Sequence, residues 1–358
     1  MLSLVADAGY TQVDPIPITI PEGITSPIKY NLDGDDIFID YYETGISKFT
    51  ADGNVSLMYS FDGTTWSLSA DHVELTASTE NNDNAIPLNA VADGNVFMTD
   101  GAMSFTTDGR IDIDFSKRLI ESESESVIIE FRDGTVTTEN ISIQEVSEGT
   151  GDNPTTRDFI QTFGQTNATI RLADSGFLGD TALSNPSGSM FGSLTLNFSE
   201  VEIETTDSTM EMVNGDPFMI SFPNRTTVMS SDNTLTMPSC EITFDPPTLK
   251  GNEGVELSVG EDTSVVADFL NLIYPQTGNN FMYVEFIGLC SPPYPDIVPV
   301  PDQRVKILNP DGTFTADIIT ITINRDGTRR IVATGCASFE MYLQNLEEIV
   351  DSGDLQQE

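Results

Sequence analysis

Apolar and polar residues alternate along several stretches of the chain, and this alternation predicts antiparallel β-strands. Apolar side chains occupy every second position in residues 55–61, 111–115 and 319–323. Successive side chains of a strand point to opposite faces, so each stretch would bury one face and leave the other in water. The pattern therefore predicts a mainly β fold, with antiparallel β-sandwich or barrel domains in series.

Asp-Gly dipeptides punctuate these stretches. They occur at residues 33–34, 52–53, 62–63, 93–94, 100–101, 108–109, 133–134, 311–312 and 326–327. Asp-Gly between alternating apolar residues indicates a hairpin, because a type I′ turn needs a positive φ at both central residues. We therefore expect hairpin turns at these positions. Residues 51–55 (ADGNV) recur as residues 92–96, and shared hairpin chemistry explains this repeat better than a solenoid or propeller, which needs more copies.

Changes in composition divide the chain into two regions. Residues 147–154 are typical of a linker, so we expect one β region over 1–150. The alternative is that this region consists of two small subdomains that meet near residues 80–90. A second β domain with long loops would occupy 151–358. The Pro-rich segment 291–301 cannot be an interior strand or a helix, and it is expected to be extended and exposed.

A short amphipathic helix is expected at the C-terminus, over residues 338–350. Ser338 is a suitable N-cap for it. Apolar residues then follow at helical spacing, at Phe339, Tyr342, Leu343, Leu346 and Ile349. This apolar stripe must pack against the chain's own sheet or against another subunit.

Negative charge dominates the composition. The chain has 57 Asp and Glu against 15 Lys and Arg, a formal net charge of −42. Such a surface repels nucleic acid and anionic membranes, so neither is expected as a partner. High acid content with few lysines also favours a saline environment, where screening weakens the self-repulsion.

The sequence offers few residues for catalysis. Cys240, Cys290 and Cys336 are far apart and lack CxxC spacing, so we expect buried free thiols rather than a zinc site. His72 is the only histidine, and no G-x-S-x-G elbow or phosphate-binding glycine motif is present. A non-enzymatic protein is therefore expected, although paired carboxylates of the glycosidase kind depend on three-dimensional geometry.

A cluster of carboxylates near the N-terminus is the candidate metal site. Asp33, Asp35, Asp36 and Asp40 lie within a few residues of one another, and Ca²⁺ prefers oxygen ligands. The segment lacks the full EF-hand loop, so a solvated acidic turn remains the alternative. No other cofactor is expected.

Contacts with other subunits are expected near the C-terminus. Arg325, Arg329 and Arg330 surround the Asp326-Gly327 turn, and on so acidic a protein they could dock onto an acidic patch of a neighbouring copy. Local ion pairs are the alternative. Phe339, Tyr342 and Leu346 of the expected helix complete the candidate interface.

One local motif resembles a known element. Residues 60–66 (SFDGTTW) resemble, in truncated form, the Asp-box hairpin of sialidases and other β-propellers. In those families the motif is structural and recurs, so the resemblance implies a hairpin with Trp66 packed against it. As a single copy, this hairpin also resembles hairpins in virion structural proteins of tailed phages, in the tail or at the capsid surface.

These observations favour a non-enzymatic structural protein of a virus particle, a tail or capsid-surface component of a tailed phage from a saline habitat. Its partners would be copies of itself or other virion proteins. It would be synthesised in the host cytoplasm, since residues 1–7 lack the basic segment of an export signal. The alternatives are a calcium-dependent cell-surface adhesin or carbohydrate-binding module, and a glycan-degrading tail enzyme.

Overall fold

The described part of the chain is built from β-strands alone. The structure is a computed structural model that describes residues 29–42, 45–61, 64–78, 86–124, 126–148, 155–172, 200–230, 233–274, 281–288, 304–310, 312–324 and 329–341. The mainly β prediction is confirmed. Within those ranges there is no helix long and apolar enough to cross a membrane. The chain divides into two compact units: unit 1 comprises 1–170 and 204–222, and unit 2 comprises 171–203 and 223–358.

Unit 1 contains the strands of the first half of the chain. These are β1 (Lys29–Asp33), β2 (Asp36–Tyr41), β3 (Ile46–Phe61), β4 (Thr64–Ser78), β5 (Ile86–Asp93), β6 (Val96–Thr99), β7 (Met103–Thr107), β8 (Arg110–Asp114), β9 (Leu119–Glu123), β10 (Val127–Phe131), β11 (Gly134–Thr138), β12 (Asn140–Glu148), β13 (Thr155–Arg171), most of β14 (Glu200–Val213) and β15 (Asp216–Phe222).

Antiparallel pairing arranges these strands in two ladders. Ladder A runs through β2, residues 46–52 of β3, residues 72–78 of β4, β5, β8, β9, β12 and residues 155–163 of β13. Ladder B runs through β1, residues 55–61 of β3, residues 64–70 of β4, β6, β7, β10, β11 and residues 167–170 of β13. We call the point where the chain passes from one ladder to the other a corner.

Ten strands of unit 1 close into an antiparallel barrel, because β4 and β13 are each long enough to belong to both ladders. Around the ring the order is β4, β5, β8, β9, β12, β13, β11, β10, β7 and β6. Closure leaves these strands without a free edge.

The core of unit 1 is formed by the apolar residues that the alternation singled out. Leu57 and Ile111 are fully buried, as their phase predicts. The ladders meet face to face: the ring of Tyr59 in ladder B contacts that of Phe115, directly after β8, in an edge-to-face arrangement at 5.1 Å between centroids. Burial of such alternating side chains on both inner faces is the main stabilising contribution.

Unit 2 has the same kind of organisation. Its strands are β16 (Thr226–Ser230), β17 (Asn233–Met237), β18 (Ser239–Phe244), β19 (Pro247–Asn252), β20 (Val255–Val259), β21 (Thr263–Ala267), β22 (Phe269–Ile273), β23 (Phe281–Ile287), β24 (Val305–Asn309), β25 (Gly312–Ala316), β26 (Ile318–Asn324), β27 (Arg329–Thr334) and β28 (Ser338–Met341), with the first residues of β14.

Two ladders again result from antiparallel pairing in unit 2. Ladder C contains β18, β19, β22, β23, β26 and β27. Ladder D contains β16, β17, β20, β21, β24, β25 and β28. The inward-facing isoleucines of β26, Ile319 and Ile321, are buried as predicted.

Four Asp-Gly dipeptides form corners, so the expectation of a hairpin turn at each one is wrong. Residues 52–53 lie inside the continuous strand β3, and residues 33–34, 93–94 and 108–109 connect the two ladders. Residues 100–101 and 133–134 lie between strands that pair with each other, which confirms hairpins at these two positions. Residues 62–63 and 326–327, and Asp311 of the 311–312 dipeptide, lie outside the described residues. At Gly53 and Gly94 the positive φ that Asp-Gly supplies serves a corner as well as a turn, which is why sequence alone did not separate the two.

The two copies of ADGNV form the same corner. Gly53 and Gly94 both have φ of +74°, and the asparagine after each has φ of +45°. The side-chain amide of Asn54 donates to the carboxylate of Asp35 between β1 and β2 (2.9 Å), and that of Asn95 donates to the carboxylate of Asp71 in β4 (2.6 Å). The Asp35 and Asp71 N–H groups donate to the glycine carbonyls, at 2.9 Å in both copies. The repeat is therefore a corner motif.

The expected C-terminal helix is not supported. Ser338–Met341 form strand β28, and the rest of the 338–350 segment lies outside the described residues. Residues 338–341 pair with residues 312–315 of β25, and the Phe339 ring packs against Phe314 at 6.3 Å. Pairing with an open strand edge outweighs the helical spacing of the apolar residues, because helix propensity is a weak preference that tertiary contacts override.

Candidate functional site

The four aspartates of the predicted calcium site lie in and around the first corner. Asp33 ends β1 and accepts a hydrogen bond from the side chain of Asn31 (2.9 Å). The carboxylate of Asp35 is used by the corner. Asp36 is opposite Asp52 on β3, and Asp40 is opposite Lys48.

These residues do not converge in the structure. Among the described residues, no three acidic, histidine or cysteine side chains group closely enough to hold a metal ion. Their strand positions explain this, because Asp36 and Asp40 are four residues apart on a strand, or about 13 Å. Calcium binding by the segment stays a prediction, with the solvated acidic turn as its alternative.

The candidate interface residues lie at the last strands of unit 2 where they are described. Arg330 is exposed on β27, opposite Thr322. Arg329 begins β27, although its side chain is outside the described part. Phe339 is 38% exposed despite its contact with Phe314. Arg325, Tyr342 and Leu346 fall outside the described residues.

The most unusual chemistry of unit 1 is a pair of carboxyl groups inside the barrel, which the sequence interpretation missed. Glu145 on β12 and Asp158 on β13 are directly opposite each other and only 6% and 2% exposed. The indole N–H of Trp66 donates to Glu145 Oε2 (3.3 Å), and the Arg118 guanidinium lies 3.6 Å from Glu145 Oε1. Asp158 Oδ1 has no hydrogen-bond partner among the described residues.

Burial makes this pair electrostatically asymmetric. Removal from water, and then the neighbouring charges of Glu145 and Asp100, raise the pKa of Asp158 from 3.8 to about 7. The pKa of the Tyr59 hydroxyl is also raised well above its usual value, first by burial and then by the nearby carboxyl groups of Glu145 and Asp158. Near neutral pH, Asp158 is therefore protonated for much of the time while Glu145 faces Arg118.

The geometry around the carboxyl pair suits a structural role. The cavity beside Glu145, lined by Tyr59, Trp66 and Arg118, has a volume of about 10 Å³. This is room for one water molecule and not for a sugar or peptide. A protonated Asp158 can donate a hydrogen bond where two ionised carboxylates would repel each other.

A polar groove lies on the outer face of ladder A. It has a volume of about 400 Å³ and is lined mainly by polar side chains of β3, β4, β5, β8 and β9. Its two cations are already engaged: Lys48 Nζ lies 2.7 Å from Glu74, and Arg110 lies 2.7 Å from Asp112. Since Asp114 and Glu121 also line it, the groove is net acidic and unsuited to a phosphate.

The histidine and cysteines have structural surroundings. His72 Nδ1 lies 2.6 Å from Asp52 Oδ1 on the same outer face. Cys240 is a buried free thiol whose pKa is raised by its removal from water, whereas Cys336 is exposed at the last corner. Cys290 lies outside the described residues. Both described cysteines are free thiols, as expected, but only Cys240 is buried; the expectation of a buried thiol is wrong for Cys336, which lies at a corner.

Comparisons with protein-family models, curated proteins and solved structures return no match for this chain.

Proposed function

We propose that this chain is a non-enzymatic structural protein of a virus particle, a tail or capsid-surface component of a tailed phage from a saline habitat. Its role would be to assemble with copies of itself or with other virion proteins. The proposal rests on the surface that the protein presents, since fold alone does not define function.

Exposed aromatic residues at one edge of unit 1 carry the proposal. Phe38 and Tyr41 of β2 are 59% and 65% exposed, and Tyr42 directly follows them at 51%. Large apolar side chains grouped on an otherwise charged surface mark protein interaction sites. Tyrosine and phenylalanine are also enriched where proteins meet. On a chain with a net charge of −42, such an edge favours a protein partner.

The carboxyl pair supports the non-enzymatic part of the proposal. Paired carboxyl groups are the one catalytic arrangement that the sequence left open. In unit 1 the pair of Glu145 and Asp158 is enclosed by the barrel and has only a water-sized cavity beside it. A polysaccharide could not reach it without the barrel opening.

Purified particles provide the direct test. An antibody raised against the purified chain should label intact particles in immunogold electron microscopy, and mass spectrometry should find the chain in a fixed ratio to the major capsid protein. Absence of the chain from particles that retain their other structural proteins would refute the proposal. Melting with Ca²⁺ or chelator addresses the adhesin alternative, for which a large calcium-dependent rise in stability would be expected.

A further inference from the structure

We propose that the first and last strands of the described residues bind each other in neighbouring copies, so that β27 and β28 of one copy add to β2 and β1 of the next. The proposal rests on the assembly role proposed above and names the partner as a second copy of the same chain. It belongs to the β-augmentation class of interaction, in which an extended strand pairs with an open sheet edge.

Both edges are open among the described residues. β2 pairs only with β3, and β27 pairs only with β26, so each has an outer row of backbone N–H and C=O groups facing no described strand. Open edges of this kind are templates for pairing with another chain. β1 and β28 likewise each have one described neighbour, β3 and β25.

Strand direction allows the two edges to join in an antiparallel manner. The first pair of strands runs from β1 in ladder B through the corner at Asp35 to β2 in ladder A. The last pair runs from β27 in ladder C through the corner at Gly335 to β28 in ladder D. Placing β27 antiparallel to β2 therefore also places β28 antiparallel to β1.

The corners set the register of the contact. In unit 2 the Asp317 corner lies between two glycines: the Gly288 N–H donates to the Asp317 carbonyl (2.9 Å), and the Asp317 N–H donates to the Gly335 carbonyl (3.1 Å). Among the described residues, Asp35 makes only the second kind of contact: its N–H donates to the Gly53 carbonyl. A Gly335 from another copy, placed opposite Asp35 as Gly288 is opposite Asp317, would supply the first.

This register brings complementary side chains together. Counting from Gly335 opposite Asp35 places Val332 opposite Phe38 and Arg330 opposite Asp40. All four of these side chains are exposed in the isolated chain, and Val332 is 38% exposed. Opposed apolar pairs and opposite charges are the cross-strand pairs that stabilise sheets.

The inner faces agree with the same register. Ile331 would lie opposite Ile39, and both are only partly covered in the isolated chain. Each continues a buried layer, because Ile331 is opposite the buried Ile321 and Ile39 is opposite the buried Phe49. A shift of one residue would place each isoleucine opposite an outward-facing residue, so the alternation excludes odd shifts, and the corner at Gly335 separates this register from shifts of two.

Cysteine cross-linking tests the contact and its register in the purified full-length chain. We would mix a Val332→Cys chain with a Phe38→Cys chain, both carrying Cys336→Ser, in about 1 M salt, which shortens the screening length to roughly 3 Å. Directly opposed Cβ atoms lie about 5 Å apart, within reach of a disulfide. We expect a disulfide-linked dimer as the main oxidised product.

The matched control replaces Phe38→Cys with Phe97→Cys. Phe97 is also an exposed aromatic (41%), but its strand β6 is paired on both sides, with β4 and β7. We expect about tenfold less dimer from this mixture. Equal yields from the two mixtures, or no dimer from either, would overturn the proposal.

Charge reversal gives a second readout that needs no cysteine. Arg330→Glu or Asp40→Arg alone should weaken self-association in sedimentation velocity by about tenfold, and a chain carrying both changes should recover most of it. Failure of the double variant to recover, with folded variants, would refute the pairing. If the chain forms the cross-linked dimer but is absent from particles, only the proposed function is refuted. If the chain is found in particles but does not form the cross-linked dimer, only this contact is refuted.

Discussion

Replacing Asp158 with asparagine should remove a large part of the pH dependence of the stability of unit 1. The pKa of Asp158 is raised by burial from 3.8 to about 7, so the folded chain binds this proton more tightly than the unfolded chain. Its contribution to stability is complete below about pH 4 and is lost as the pH rises through about 7. The difference between the two pKa values corresponds to roughly 4 kcal/mol.

The asparagine variant keeps the size of the side chain and cannot ionise. Its NH₂ group is a donor on the residue opposite Glu145, as the hydroxyl of a protonated Asp158 would be. Between about pH 4 and pH 7 we expect the wild-type unfolding free energy to fall by up to about 1.4 kcal/mol per pH unit more than that of Asp158→Asn. Above pH 7 the variant should be the more stable of the two.

Urea unfolding followed by tryptophan fluorescence measures this in the intact protein. Trp66 is the only tryptophan, and its indole contacts Glu145 in unit 1, so the signal reports on the unit that contains the change. Asp262→Asn, at an exposed turn of unit 2, is the control and should leave the pH slope unchanged. Equal slopes for wild type and Asp158→Asn would show that Asp158 does not retain its proton in the fold.

Three further results are expected. Gly94→Ala should lower the unfolding free energy of unit 1 by about 2 to 3 kcal/mol, since the φ of Gly94 is positive and a Cβ would meet the Asp71 carboxylate at 2.8 Å. Gly101→Ala, where φ is positive but the space is open, should cost about 1 kcal/mol. Similar losses of unfolding free energy in the two variants would contradict the corner geometry. Arg118→Met should cost about 3 kcal/mol at pH 7, because it leaves Glu145 buried without its cation, and a neutral result in urea unfolding would contradict that role. Raising the salt concentration from about 0.1 M to about 1 M should raise the melting temperature, because screening reduces the self-repulsion of a chain with a net charge of −42, and a fall would refute this explanation.

The strands could be predicted from the sequence because their signal is local. Ile111 and Ile321 are buried where period two places them, and this phase is readable without knowing the partners of a strand. The carboxyl pair was readable in the same way, since Glu145 continues the inward phase of Ile141 and Ile143. An acid in the apolar phase of a strand was the missed signal.

The corners and the last strand could not be predicted, because both depend on distant residues. The bulge at Gly53 is held by Asp35, which lies in the corner between β1 and β2, and a sequence window around residues 52–54 contains no trace of that partner. Likewise, Phe339 has a helical pattern to its C-terminal side, but the edge of β25 decides its conformation. Long-range pairing rather than local preference determines these segments.

The regular alternation of corners has a consequence for how proteins of this architecture can change in length. Within ladders C and D, each interior strand among the described residues lies between two antiparallel neighbours, as β26 lies between β23 and β27. Insertion of one additional strand before the last edge strand would reverse the direction in which that edge strand runs, whereas insertion of two would restore it. Lengthening by an even number of strands would therefore keep the first and last described edge strands able to pair in an antiparallel manner. A single added strand would abolish that pairing.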